Sequence, residues 1–262
     1  MLARRAKTIF KTIPILFPLF RTVSKPLRER IKFRRLERYC SLLPDTARHP
    51  TFVMIGANDG TTEDPISEIL LADSRWRGVL IEPVPYCFRR LATTFHDSQR
   101  FALEQVAIGK AAGVASLYYV DESAVDKSGN RPFWFDQVGS FDRDHVLKHV
   151  GAALGQRIVE CSVEVCLLSD ILRKHNIDGI HFLQIDTEGY DYEIVKTLDL
   201  ANHAPSAILV EHSHLPSTDK EEMLNLLRAN GYKVDSCGAY DYFAIHNKAP
   251  LSSLVWDDAL PS

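Results

Sequence analysis

The sequence is poor in cysteine. Cys40, Cys87, Cys161, Cys166 and Cys237 are its five, and no C-x-x-C pair occurs. An odd, scattered set argues against a disulfide framework or a structural zinc module and fits reduced intracellular thiols. A bilayer-spanning run of about 20 apolar residues is also missing. The most apolar stretch, Ile13–Phe20, is short and broken by Pro14 and Pro18. It lacks a small-residue cleavage site and meets more arginine instead, which argues against a secretory signal. Gly and Pro number 13 each among 262 residues, too few for a collagen-like or low-complexity chain. There is no G-x-S-x-G elbow and no Walker A sequence, so neither serine hydrolysis nor P-loop chemistry has support.

What is present is ordinary globular composition, 45% hydrophobic and 25% charged, with ample length for a substantial core. The charge is unevenly spread. Residues 1–39 hold twelve Lys/Arg against two acids, and the rest hold 19 against 32, so a cationic tail precedes an acidic globule. The expected organisation is a basic, partly apolar arm over 1–40 and one domain over 41–262. Residues 1–38 suit an arm on an anionic membrane face, with Phe10, Ile13, Phe17 and Phe20 inserted. A solvated, partly helical leader fits the same composition. The acidic globule would repel nucleic acid. The expected location is cytoplasmic, peripheral to the membrane if the arm binds.

From Thr51 onward, strand-length apolar runs alternate with helical patterns, the signature of an α/β fold. Strands are predicted at Thr51–Ile55, Gly78–Ile81, Phe101–Val106, Ala115–Val120, Ile158–Val165, Ile180–Ile185 and Ala207–Val210. Tyr232–Ser236 and Tyr242–His246 follow as an antiparallel pair. Asp64 and Pro65 read as the start of a helix. Asp121–His149 reads as a long polar loop with aromatics at Phe133, Trp134, Phe135 and Phe141, a candidate lid. His145 and His149, i and i+4 on a helix, read as a solvated face.

In open sheets of this kind ligands sit outside the carboxyl ends of the strands. After the first strand comes Gly56-Ala57-Asn58-Asp59-Gly60, whose glycines permit a tight turn and close backbone approach. This pattern serves a nucleotide-type cofactor or merely a strand-to-helix turn. It lacks the middle glycine of a dinucleotide fingerprint and carries Asp59, Glu63 and Asp64, which would repel a pyrophosphate. A cationic cofactor such as S-adenosylmethionine suits these acids better. Glu82 ends the second strand, 26 residues after Gly56, where a carboxylate can accept from two ribose hydroxyls. Val106 and Ala107 are placed to line an adenine face. Asp186-Thr187-Glu188-Gly189 follows a later strand and serves either catalysis or helix capping. Glu211-His212-Ser213-His214 follows the next. A lone H-x-H is a weak metal signal, without a second H-x-H or an H-E-x-x-H, so no metal is expected.

Four segments in order, "FVMIGANDG", "GVLIEPVP", "LQIDTEGYDYEIV" and "AILVEHSHL", resemble the FkbM family of S-adenosylmethionine-dependent methyltransferases. The resemblance spans roughly Thr51 to His246. It implies a class I methyltransferase fold, a Rossmann-like, mostly parallel seven-stranded sheet with one antiparallel strand, here with extra strands. It also implies O-methylation, commonly of a sugar or polyketide hydroxyl. Gly56, Asn58 and Gly60 match the cofactor loop, and Glu82 the ribose acid. Asp186 and Glu188 match the acidic pair of the D-x-E-G segment, and Glu211 the acid ending the next strand. Two positions depart from the family pattern: Met54 where an acid is common, and Gln184 where a lysine is common.

The expected activity is O-methyl transfer to a hydroxyl, of a sugar in a glycan or glycolipid or of a small molecule. Asp186 would accept the hydroxyl proton, with His212 or His214 as relay. Glu188 and Glu211 would hold neighbouring hydroxyls, and Trp134 would cover the acceptor. Two competing readings are an NAD(P)-dependent oxidoreductase on the same fold and an inactive, membrane-tethered binding module.

Overall fold

The computed structural model describes residues 27–62, 64–124 and 138–256, with side chains from residue 33. The arm residues Phe10, Ile13, Phe17 and Phe20, together with Glu63, Phe133, Trp134 and Phe135, lie outside the described residues. No described helix is long and apolar enough to cross a membrane.

The main sheet has seven strands: β1 (Thr51–Ile55), β2 (Arg77–Ile81), β3 (Phe101–Glu104), β8 (Phe182–Ile185), β9 (Ala207–Glu211), β10 (Tyr232–Cys237) and β11 (Asp241–His246). Their spatial order is β10-β11-β9-β8-β1-β2-β3. β11 alone runs against its neighbours. The central strands read as near-continuous apolar runs because both faces are covered. Alternation then sorts the residues by face. Val53, Ile55, Val79, Ile81, Leu183 and Ile185 enter one core, and Phe52, Met54, Leu80, Phe182 and Leu209 enter the other. The first core is closed by α5 (Leu168–Lys174), α6 (Asp191–Thr197) and α7 (Ser217–Ala229). The second is closed by α1 (Leu27–Leu42), α2 (Ser67–Ala72), α3 (Pro85–Thr94) and α8 (Ser252–Trp256).

The charge-based boundary at residue 40 falls inside α1, whose Leu36, Tyr39 and Cys40 are fully buried. Tyr39 also donates to the His181 carbonyl at 3.2 Å, and Arg35 pairs with Asp235. Positive charge on the outer face of this helix concealed its apolar inner stripe.

A second sheet, in the order β4-β7-β5-β6, joins β4 (Ala107–Ile108), β5 (Gly113–Val120), β6 (Gly139–Ser140) and β7 (Ile158–Cys166). Helix α4 (Arg143–Gly155) packs on it through Val146 and Val150, beside Val120 and Val138. The predicted loop Asp121–His149 thus contains a strand and the first half of a helix. The apolar residues Val146 and Val150, at i and i+4, are the helical signal that its polarity masked.

Leu36→Ala should cost about 2–5 kcal/mol in urea unfolding, as expected for a buried leucine. A loosely appended helix would make the substitution neutral.

Candidate active site

The carboxyl ends of β2, β1, β8 and β9 and the start of the reversed strand β11 lie side by side on one sheet edge. At about 4.8 Å per strand, Glu82 after β2 and Glu211 at the end of β9 lie roughly 14 Å apart. A cavity of about 600 Å³ joins them.

At the β1 end the backbone itself shapes the cavity. Gly56 has φ +79°, and a Cβ there would meet the Asp186 carbonyl oxygen at 1.7 Å. Only glycine lets β1 and β8 approach this closely while turning into the loop. Asn58 follows at φ 49°, and its N–H donates to Glu82 Oε2 at 2.8 Å. Val84 N–H donates to Glu82 Oε1, also at 2.8 Å. Both carboxylate oxygens are thus oriented, and each retains acceptor capacity for a hydroxyl. Burial pushes the Glu82 carboxyl up to about 7, against the pull of those two N–H groups. Val106 and Ala107 line the same end, beside Ile108.

Two predicted loop residues also have roles in the fold. Asp59 accepts from the N–H groups and hydroxyls of Thr61 and Thr62, and does not line the cavity. Gly60 packs under α3, where a Cβ would meet Phe95 and Leu91 below 3 Å. Asp64 does line the cavity. Its Oδ1 caps the N–H groups of Ile66 and Ser67, and its Oδ2 accepts from Gln184 Nε2 at 3.0 Å.

At the β8 end, the segment Asp186–Tyr190 is held open by a residue the motif reading left unassigned. Buried Asp191 accepts from Thr187 N–H at 2.9 Å and from Gly189 N–H at 3.0 Å. This turn places Glu188 at φ 55° and Gly189 at φ 104°. Helix α6 begins only at Asp191, so Asp186 and Glu188 do not cap it and face the cavity. Burial raises the Asp186 carboxyl well above the usual range, and the carboxylates of Glu211, Glu188, Asp191 and Asp241 add to the rise. Asp241, at the start of β11, was not anticipated. Burial, then Glu211 and Asp191, push it up to about 8. Its signal was weak, a lone acid opening the reversed strand.

His214 Nε2 lies 3.0 Å from Glu188 Oε2 and 3.3 Å from Glu211 Oε1. Burial opposes its charge, but the two carboxylates prevail and raise it to about 10. Burial likewise pushes Glu188 up, while His145 and His214 outweigh it and hold the carboxyl below its ordinary value. His145 and His149, expected on a solvated face, point into this cluster instead. Their rings lie 5.1 Å and 4.5 Å from that of His214. The second sheet tilts α4 inward, which no local pattern could reveal. His212 goes the other way, stacked on Tyr242 at 4.0 Å and outside the cavity lining. The strand ends at Glu211, and a turn closed by Leu215 N–H on the His212 carbonyl at 3.2 Å breaks the alternation that would put both histidines on one side.

Six carboxylates line the cavity: Asp64, Glu82, Asp186, Glu188, Glu211 and Asp241. No lysine or arginine is among the described lining residues. Such a wall disfavours a pyrophosphate and favours a ligand with cationic centres. The strand order, the glycine at the β1 edge and the acid after β2 together define a class I S-adenosylmethionine-dependent methyltransferase. Residues 55–234 match the methyltransferase FkbM domain, and the chain belongs to that family. S-adenosylmethionine is its cofactor, and the lining fits it: Glu82 would hold the ribose and the acidic wall the ammonium and sulfonium.

Solved structures with a similar fold include the methyltransferase domain of METTL16, at 13% identity and TM-score 0.45 over 84% of this chain and 68% of that one. Human methyltransferase 10 domain containing protein is similar at 12% identity and TM-score 0.42, over 80% of each chain. Aeropyrum pernix fibrillarin, solved with natively bound S-adenosyl-L-methionine, is similar at 12% identity and TM-score 0.41, over 82% and 76%. No curated protein sequence matches the chain.

Glu82→Gln replaces one oriented oxygen with a donor amide. By calorimetry it should weaken S-adenosylhomocysteine about 10–100-fold, the scale of a charged hydrogen bond. Asp241 binds its proton more tightly folded than unfolded, so stability falls as pH rises from 3.8 toward about 8. Asp241→Asn should therefore gain about 1–3 kcal/mol on the wild type between about pH 5 and about pH 8 in urea unfolding. A constant difference across that window would refute the assignment.

Proposed function

We propose that this methyltransferase acts on a hydroxyl oxygen, that of a sugar in a glycan or glycolipid. The observation that carries this reading is the acceptor end of the cavity, where acidic acceptors crowd without a lysine or arginine among the described lining residues. Hydroxyls donate to carboxylates, whereas a phosphate or carboxylate on the acceptor would be repelled. Phe141 and Tyr190 line the same region, with ring centroids 5.5 Å apart, and offer an apolar surface to the face of a sugar ring.

The bound cofactor supplies a methyl group already activated on a sulfonium. The protein's work is alignment and proton removal. Asp186 is the residue for the second task. It projects from the β8 edge, its main-chain N–H is tied to the Ile55 carbonyl at 2.9 Å, and burial among acids favours its protonated form. A carboxylate so placed gains from taking the hydroxyl proton as the oxygen is methylated. Glu188 and Glu211 hold the flanking hydroxyls, with His214 keeping both in place. His212 takes no part, because it lies outside the cavity lining.

Asp186→Asn preserves shape and removes the base. Transfer of a tritiated methyl group to neutral oligosaccharides should fall about 10²–10⁴-fold, with S-adenosylhomocysteine binding retained. Undiminished turnover would remove Asp186 from this role. Preference for phosphorylated acceptors over neutral ones would overturn the acceptor class.

A further inference from the structure

Three imidazoles and two carboxylates from four separate segments meet at the acceptor end of the cavity. His145 and His149 come from α4, Glu188 from the turn after β8, Glu211 from β9 and His214 from the segment beyond it. The candidate ligand atoms of the three histidines lie within 4.8 Å of one another, as do those of Glu188, Glu211 and His214.

The spacing of His214 from Glu188 and Glu211 is that of a coordination shell, with His145 a little farther out. First-row ions hold nitrogen and oxygen ligands at about 2.0–2.2 Å, which sets ligand–ligand edges of roughly 2.9–3.5 Å. His214 Nε2 lies 3.0 Å from Glu188 Oε2 and 3.3 Å from Glu211 Oε1, and His145 Nε2 lies 3.7 Å from Glu188 Oε2.

The hydrogen bonding is the second, independent observation. Glu211 Oε2 is buried and meets no hydrogen-bond partner among the described residues. Glu211 is only 8% exposed, so its unmatched oxygen is costly unless something else binds it. His149 Nδ1 lies 2.8 Å from the His145 carbonyl oxygen, which can only accept. In the neutral ring the proton is therefore on Nδ1 and the lone pair on Nε2, as in metal-ligating histidines.

We infer that these two groups, which share His214, form a site for one divalent first-row transition ion such as Zn²⁺ or Co²⁺, its ligands drawn from His145, His149, His214, Glu188 and Glu211. Mixed imidazole and carboxylate donors suit these ions better than Mg²⁺ or Ca²⁺. The expectation of no metal weighed His212 with His214, the adjacent pair in sequence. The structure instead groups His214 with two histidines more than 60 residues earlier. Resting on the hydroxyl reading, the ion sits where two adjacent sugar hydroxyls could chelate it beside Asp186.

The test is metal binding by the full chain, stripped with a chelator and free of acceptor. Titration with Co²⁺, followed by visible absorption and by mass spectrometry of metal content, should give one ion per chain. Zn²⁺ should displace it. His214→Ala and His149→Gln should each weaken binding at least about tenfold. The glutamine can keep the hydrogen bond to the His145 carbonyl, so that variant should melt like the wild type. His203→Ala, at an exposed histidine bonded to Asp199, should bind as the wild type does. Substoichiometric uptake, or uptake unmoved by both cluster variants, would overturn the site. Stoichiometric binding in a protein that rejects every neutral glycan would keep the site and refute the acceptor class.

Discussion

Negative charge gathered at one sheet edge is the constraint around which this molecule is organised. Parallel strands deliver their carboxyl ends to the same side, and here three of those that reach the cavity end in or lead directly to an acid. Glu82 follows β2, Asp186 follows β8 and Glu211 closes β9. The reversed strand β11 begins with Asp241 and adds a fourth from the opposite chain direction. Water cannot screen charges so enclosed, and each carboxylate raises the proton affinity of the next. The cavity is therefore complementary to positive charge before any ligand is considered. A sulfonium donor, an imidazolium and a metal ion are three ways of meeting that demand.

The loops that hold these acids are themselves held by acids. Asp59 ties down the threonines after the first glycine loop, Asp64 caps the start of α2, and Asp191 pins the turn carrying Glu188. Each accepts from main-chain N–H groups that would otherwise be unpaired near a cavity. The division of labour follows geometry. Acids pointing back into their own loop fix the backbone, and those at the strand ends are left facing the ligand.

The second sheet changes the character of the cavity beside β8 and β9. Without it α4 would have no platform, and His145 and His149 would lie in solvent. Val120, Val138, Val146 and Val150 hold that helix against β5, and the consequence is a histidine cluster over Glu188. The side sheet is thus a delivery device for imidazoles as well as an extra layer.

Much of the architecture was legible from residue order alone. Buried parallel strands must be apolar throughout, and a β1 turn that approaches β8 closely must use glycine, so FVMIGANDG, GVLIEPVP and IDTEGYD announce the sheet edge and its acids. These are local requirements, and the sequence states local requirements directly. What it could not state was direction. Asp59 and Asp64 share a loop, yet only Asp64 reaches the cavity. His212 and His214 are two residues apart, yet face opposite ways. Helix α1 looked like part of a cationic arm because its charge is counted in sequence while its apolar stripe acts in space. The identity of the strands and the acidic character of their ends follow from residue type and spacing alone. Which acids, and which histidines, meet in one cavity was decided by packing between segments far apart in the chain, where no residue encodes its partner.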